Sequence, residues 1–205
     1  DLWQDEAEDG TRQFAGIFVA AGTADGRVHG FALGEDGVRS GDIDIDQQAI
    51  GATWTRIAPD EFYLDAVAML SRLRGSADAV TDESVDIRGY GLTASIEAGR
   101  PFPLRGDWAI EPQAQLIAQY TDLDQQEDSF ATIGFGDGWS TTGRVGLRLR
   151  QGDEGGEPAF YVKASLWQGL SGTDRLRLGD TTLVTTNDGT VLELGDGVTG
   201  RLAEN

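Results

Sequence analysis

The sequence predicts an all-β fold, an antiparallel up-and-down transmembrane β-barrel with about eight strands present in this chain. Three observations carry that expectation. Polarity alternates with period two along segment after segment, which gives each strand two chemically different faces. Gly-, Asp- and Asn-rich stretches separate these segments, and no helix of useful length is evident. The polar faces carry whole charges and amides in mid-strand, where a dry core would leave them unsatisfied.

In chain order, the candidate strands are 14–22, 43–56, 62–72, 86–99, 108–120, 141–150, 159–167 and 190–195. Within 86–99, Tyr90, Leu92, Ala94, Ile96 and Ala98 oppose Gly91, Thr93, Ser95 and Glu97. The clearest alternation runs from Trp108 to Tyr120, where Ala114, Leu116, Ala118 and Tyr120 share one face and Glu111, Gln113, Gln115 and Gln119 the other. Such a row of long polar side chains requires a wet face. Along 141–150, Val145, Leu147 and Leu149 oppose Arg144, Gly146, Arg148 and Arg150. Between 159 and 167, Val162, Ala164 and Leu166 oppose Lys163 and Ser165, with Trp167 ending the polar register.

Gly34-Glu35-Asp36-Gly37, Gly152-Asp153-Glu154-Gly155-Gly156 and Asn187-Asp188-Gly189 are expected turns. Asp78, Asp82, Glu83 and Asp86 are expected in one acidic loop, and Asp122, Asp124, Glu127 and Asp128 in another. Most of the negative charge is thereby assigned to solvated connections.

The 205 residues fit one domain, 1–205, with 16 basic against 35 acidic residues, a formal charge of −19 and no cysteine. That balance argues against nucleic acid. Without cysteine there are no disulfides, thiolate metal sites or cysteine nucleophiles. His29 is the one histidine, so a catalytic triad or multi-histidine site has little to build on, and His29 is read as an ordinary loop or strand-end residue. No cofactor, metal or catalytic residue is assigned. No segment approaches the ~20 apolar residues of a spanning helix, which does not bear on a barrel whose strands need only about 10.

Alternation also fits an antiparallel sandwich with one solvated face, a secreted or surface module binding carbohydrate or protein. In that reading Asp36-Gly37, Asp42, Asp44 and Asp46 offer oxygen ligands to Ca²⁺. A stand-alone eight-stranded porin or adhesin barrel is a further alternative. Two features favour a membrane barrel. The apolar faces are small or aliphatic, with Trp54, Tyr63, Trp108, Tyr120 and Trp167 near strand ends as aromatic girdles would be, and the opposite faces are charged as a water-filled lumen would be.

Gly-Leu-Thr-Ala-Ser-Ile-Glu-Ala-Gly at 91–99, followed by Trp108 and Glu-Pro-Gln-Ala-Gln-Leu at 111–116, resembles autotransporter β-domains. The order of further segments agrees: Ala52-Thr53-Trp54, Phe62-Tyr63-Leu64-Asp65-Ala66-Val67, Gly143-Arg144-Val145-Gly146-Leu147-Arg148-Leu149, the run 160–167, and Leu192-Glu193-Leu194-Gly195. The resemblance covers about Asp1 to Gly197. It implies a twelve-stranded barrel enclosing a helix, in the outer membrane of a Gram-negative bacterium, with a passenger polypeptide upstream. Mapped on that pattern, the chain begins at the end of the second strand and stops after the tenth. Expected to be missing are the inner helix, the first strand, most of the second and the last two, which carry an aromatic assembly signal. The fragment is then expected to leave open strand edges prone to self-association.

The implied function is an anchor and export route for the chain's own passenger, without turnover, with lipid and the barrel-assembly machinery as partners. Glu97, Glu111, Gln113, Gln115, Arg144, Arg148 and Lys163 are the expected lumen-lining residues, with Glu111 and Arg148 as a possible ion pair. Ala114, Leu116, Val145 and Leu147 are expected to face lipid. Some members of the family cut their own linker inside the barrel. Glu97, Glu111 or Asp65 could polarise a peptide for such a cut, but no nucleophile is visible.

Overall fold

The computed structural model describes residues 2–32, 35–80, 84–124, 126–127, 132–135, 138–152, 159–178 and 181–199. These residues form β-strands and short turns and, among those described, no helix. The strands are β1 (Trp3–Glu6), β2 (Arg12–Ala32), β3 (Glu35–Ile57), β4 (Tyr63–Ala79), β5 (Ser84–Gly99), β6 (Phe102–Pro103), β7 (Trp108–Leu123), β8 (Gln126–Glu127), β9 (Thr132–Phe135), β10 (Gly138–Gln151), β11 (Ala159–Ser171), β12 (Thr173–Leu178), β13 (Thr181–Thr186) and β14 (Thr190–Thr199).

One antiparallel sheet runs in the order β1-β2-β3-β4-β5-β7-β10-β11-β14, with β6 paired to β7. Each long strand pairs with the next in sequence, so the topology is up-and-down. All eight expected strands are present, as β2, β3, β4, β5, β7, β10, β11 and β14. Among the described residues no pairing joins β14 to β1 or β2, and the sheet stands open. A second sheet, β13-β12-β9-β8, is made by the excursions between β7 and β10 and between β11 and β14.

At one end the strands are joined by tight turns. Ala7 N–H bonds Thr11 O and Ala58 N–H bonds Phe62 O, closing the β1–β2 and β3–β4 turns. Asp9 accepts from the Thr11 N–H at 2.9 Å, and that bond is the main reason its carboxyl titrates below the usual range. At the other end β2 and β3 extend to 21 and 23 residues. Spanning a bilayer takes about 9–11 residues of tilted strand, so roughly half of this hairpin projects beyond one.

The faces exchange character where that projection starts. On β3, Trp54, Ala52 and Ile50 share a face that continues as Gln48, Asp46, Asp44 and Asp42. Paired to it on β4, Leu64, Ala66, Ala68 and Leu70 continue as Arg72, Arg74, Ser76 and Asp78. β5 repeats the change, with Ala98, Ile96, Ala94 and Leu92 giving way to Tyr90, Arg88 and Asp86. The opposite face changes in the reverse sense, from Thr53, Asp65 and Glu97 to Ile45, Ile43, Leu73, Val85 and Ile87, the last buried. A projecting sheet in water hides its aliphatic side, whereas a lipid-embedded wall shows it outward.

Asp78, Asp86 and Asp122 therefore lie in strands, not in the expected acidic loops, and Asp42, Asp44 and Asp46 alternate along β3 instead of forming a calcium loop. Asp124 follows β7 and Glu127 lies in β8, while Asp82, Glu83 and Asp128 are outside the described residues. Of the expected turns, Glu35, Asp36 and Gly37 begin β3 and 187–189 do connect β13 to β14, while Gly34 and 153–156 lie outside the described residues. His29 is exposed on β2.

Directly opposed in register, Asp25 and Asp44 form an acid pair on the projecting hairpin. The hydrogen bond with Asp25, then burial and the charges of Asp25, Asp78 and Asp42, hold the Asp44 carboxyl above its usual value. A raised folded-state value favours the folded form below the unfolded value near 3.8, and the benefit is lost as pH rises through the raised one. Greater amide protection in 22–32 and 35–48, corrected for the intrinsic pH dependence of exchange, is expected at pH below about 4 than at pH 7, with the difference diminished in Asp44→Asn. Identical pH dependence in the variant would contradict the assignment.

Candidate functional site

The polar face of the sheet is concave, because its side chains meet across intervening strands. Arg144 on β10 reaches over Gln115 of β7 to Glu97 on β5, with Nη2 2.8 Å from Oε2. Tyr63 on β4 donates its hydroxyl to Glu97 at 2.8 Å and lies 3.4 Å from Glu111 on β7. Arg150 at the end of β10 pairs at 3.6 Å with Glu61 in the turn before β4. A cavity of about 490 Å³ is bounded by residues from Arg12 on β2 to Arg150 on β10, strands separated by four others in the sheet.

All seven polar candidates fall on this face. Glu111 is 6% exposed and its carboxylate is satisfied by Gln113 Nε2 at 2.7 Å as well as by Tyr63. Gln115 Nε2 donates to Ser95 Oγ at 3.2 Å. Lys163 pairs with Glu193 on β14 at 2.6 Å, and the Trp167 indole N–H donates to the other oxygen of the same carboxylate at 2.9 Å. Arg148, Arg144, Glu97, Gln113, Tyr161 and Lys163 border a further cavity of about 300 Å³.

The expected Glu111–Arg148 ion pair is absent among the described residues, although the two are directly opposed in register. Arg148 instead lies over the Tyr161 ring at 4.4 Å, while Tyr63 and Gln113 occupy the Glu111 carboxylate. The buried pair is Arg144–Glu97, and Arg144 also lies 5.3 Å from the Trp167 ring centre. Charge is divided laterally, with Asp65, Glu97 and Glu111 on β4, β5 and β7, and Arg144, Arg148, Arg150 and Lys163 on β10 and β11.

Tyr63 and Trp167 belong to this inner network and not to an outer girdle. Parity along the strand reveals as much: Tyr63 is two residues from Asp65, and Trp167 two from Ser165. Glu193 was missed among the polar candidates, although it alternates with Leu192 and Leu194. Gly99, opposite Tyr63, leaves the space its ring fills, since a Cβ there would lie 2.6 Å from the hydroxyl. Gly99→Ala should displace the ring and cost about 1–3 kcal/mol, read as a lower unfolding midpoint, while Gly189→Ala, with open space at its Cβ, should not.

Ala114, Leu116, Val145 and Leu147 lie on the convex face, with Val145 opposite Ala114 and Leu116 opposite Gly143. The three larger ones are 45–58% exposed. Trp54 and Trp108 mark one margin of this apolar surface, and Tyr120, stacked at 5.3 Å on Trp139, marks the other. Trp108 and Tyr120 are twelve residues apart on β7, about 40 Å of strand, or about 30 Å in height at a 40° tilt. That height matches a hydrocarbon core.

The family described as autotransporter β-domain matches residues 6–205. The chain belongs to the autotransporter β-domain family. Two pertactin autotransporters, of Bordetella bronchiseptica and Bordetella parapertussis, are each 30% identical to this β-domain over 197 residues, covering 89% of it. The β-domain spans 22% and 21% of the length of those relatives. The crystal structure of the β-domain of the Bordetella autotransporter BrkA superposes with a TM-score of 0.63 at 20% identity, covering 95% of this chain and 83% of that one. The fold is thus the wall of an autotransporter barrel and not a sandwich. Family membership assigns the β-domain to the outer membrane of Gram-negative bacteria as a translocator.

Proposed function

We propose that this β-domain anchors a linked passenger in the outer membrane and gives it a hydrated route to the cell surface along the concave wall. The observation that supports this most is the network of Glu97, Arg144, Tyr63 and Glu111, whose bonds cross intervening strands while Ala114, Leu116, Val145 and Leu147 point the other way. With Glu97 paired to Arg144 and Glu111 bound by Tyr63 and Gln113, these carboxylates hold the wall's shape without gripping a transiting chain. The passenger, the surrounding lipid and the barrel-assembly machinery are the partners of this reading. The role requires no turnover; Glu97 and Glu111 have their carboxylates engaged in the wall, which favours structure over peptide polarisation.

Because these 205 residues include no cysteine, an introduced one is the sole thiol among them. In a full-length precursor stalled during export, a photoactivatable thiol probe at Ser95 or Gln113 is expected to cross-link the passenger, and one at Ala114 is not. Cross-linking from Ala114 alone would reject the route along the concave wall.

A further inference from the structure

We propose that Arg72, Arg74 and Arg88 form a binding site for the phosphate groups of an outer-leaflet lipid. All three are exposed on the convex face, immediately beyond the last apolar residues Leu70 and Leu92 and beside the aromatic margin of Tyr90, Tyr120 and Trp139. They lie at the end where β2 and β3 project, opposite the tight turns. In barrels of this kind the short turns are periplasmic and the long excursions extracellular. The arginines thus stand at the level of the outer-leaflet headgroups.

Register places Arg74 directly opposite Arg88, and Arg72 opposite Tyr90 one step below. Like charges facing each other across a ladder are unfavourable unless an anion lies between them. Opposed and diagonal positions are about 5–8 Å apart at Cα, within reach of one phosphate for three arginine side chains.

The chain is strongly acidic, yet Arg72 and Arg74 have no ion-pair partner among the described residues. Asp46 stands opposite Arg74 without pairing, and Asp122 stands opposite Tyr90. Arg88 is bound by Asp86 at 3.1 Å, but both side chains are 64% exposed and such a pair exchanges at little cost. Elsewhere on the surface Arg39 holds Asp42 and Arg100 holds Asp60.

Guanidinium groups match phosphate oxygens in charge and fork geometry. A lipid supplies both halves of the contact, its acyl chains lying on Leu70, Leu92 and the apolar face below while its phosphate meets the arginines. A soluble anion gains only the second. The proposal rests on the convex face meeting lipid, which a cysteine scan of β7 tests without involving these arginines.

The test is lipid binding by the full-length precursor folded in detergent micelles, measured by native mass spectrometry with bisphosphorylated lipid A, phosphatidylcholine and inorganic phosphate as probes. Lipid A is expected to bind more tightly than phosphatidylcholine. Arg72→Gln with Arg74→Gln and Arg88→Gln should weaken it roughly a hundredfold, at about fivefold per arginine, leaving phosphatidylcholine unaffected. Arg56→Gln, on the convex face at the opposite margin, should leave lipid A binding intact. Should the triple variant fail to fold, Arg72→Gln and Arg74→Gln singly should each weaken binding about fivefold. Unchanged lipid A affinity, an equal loss with Arg56→Gln, or full displacement of lipid A by millimolar phosphate would overturn the proposal.

Discussion

Glu97→Gln is expected to destabilise the inserted domain by about 3 kcal/mol, because it leaves the Arg144 guanidinium buried without its counter-charge. Arg144 is 9% exposed at its side chain and Glu97 21%, so solvent screens neither fully. Arg144→Met should cost a similar amount, leaving Glu97 with Tyr63 as its remaining donor. The double variant Glu97→Leu/Arg144→Met should recover part of the loss, since removing both charges abolishes the desolvation cost that a single removal exposes. Unfolding midpoints in denaturant, measured in lipid vesicles, give the cycle. For Glu111 and Arg148, which form no ion pair, the same cycle should show coupling below about 1 kcal/mol. Strong coupling there and none between Glu97 and Arg144 would reverse the assignment of the network.

Leu116→Arg is expected to cost about 2–4 kcal/mol, as it places a cation near the middle of the apolar band. Val145→Arg, on the neighbouring β10, should behave likewise. By contrast, Gln113→Arg adds a cation to the concave side next to Glu111 and should cost far less. Folding yield into vesicles, scored by the altered gel mobility of folded barrels, measures the three variants under one condition. Equal tolerance of arginine at Leu116 and Gln113 would remove the distinction between the faces.

Much of this was legible because period-two alternation is geometry: a residue's parity on a strand fixes its face once one neighbour is known. Glu111, Gln113 and Gln115 needed no structure to be placed together. Pairing between faces already shared was less accessible. Arg148 faces Glu111 in register, yet the choice between a carboxylate and the Tyr161 ring depends on side-chain reach and on what Tyr63 and Gln113 already occupy. Tyr63 and Trp167 misled because aromatic residues near strand ends suggest a membrane girdle, whereas their parity puts them with Asp65 and Ser165.

The projecting hairpin was hidden for a related reason. Alternation continues through Gln48 and Arg72, but the apolar and polar phases trade faces there, so a segment judged by polarity alone seems to end. Asp78 and Asp86 were accordingly expected in an acidic loop. The segments 132–135, 173–178 and 181–186 form a second sheet by pairing with each other, a contact that no local pattern announced.

The central claim is that one face of this sheet meets water in a lumen and the other meets lipid. Single cysteines placed from Ala109 to Gln119 along β7, in the full-length protein in outer-membrane vesicles, test it with a water-soluble maleimide. Labelling is predicted to alternate, strong at Gln113, Gln115 and Gln119 and weak at Ala114, Leu116 and Ala118. Uniform labelling, or labelling confined to the even-numbered positions, would contradict it.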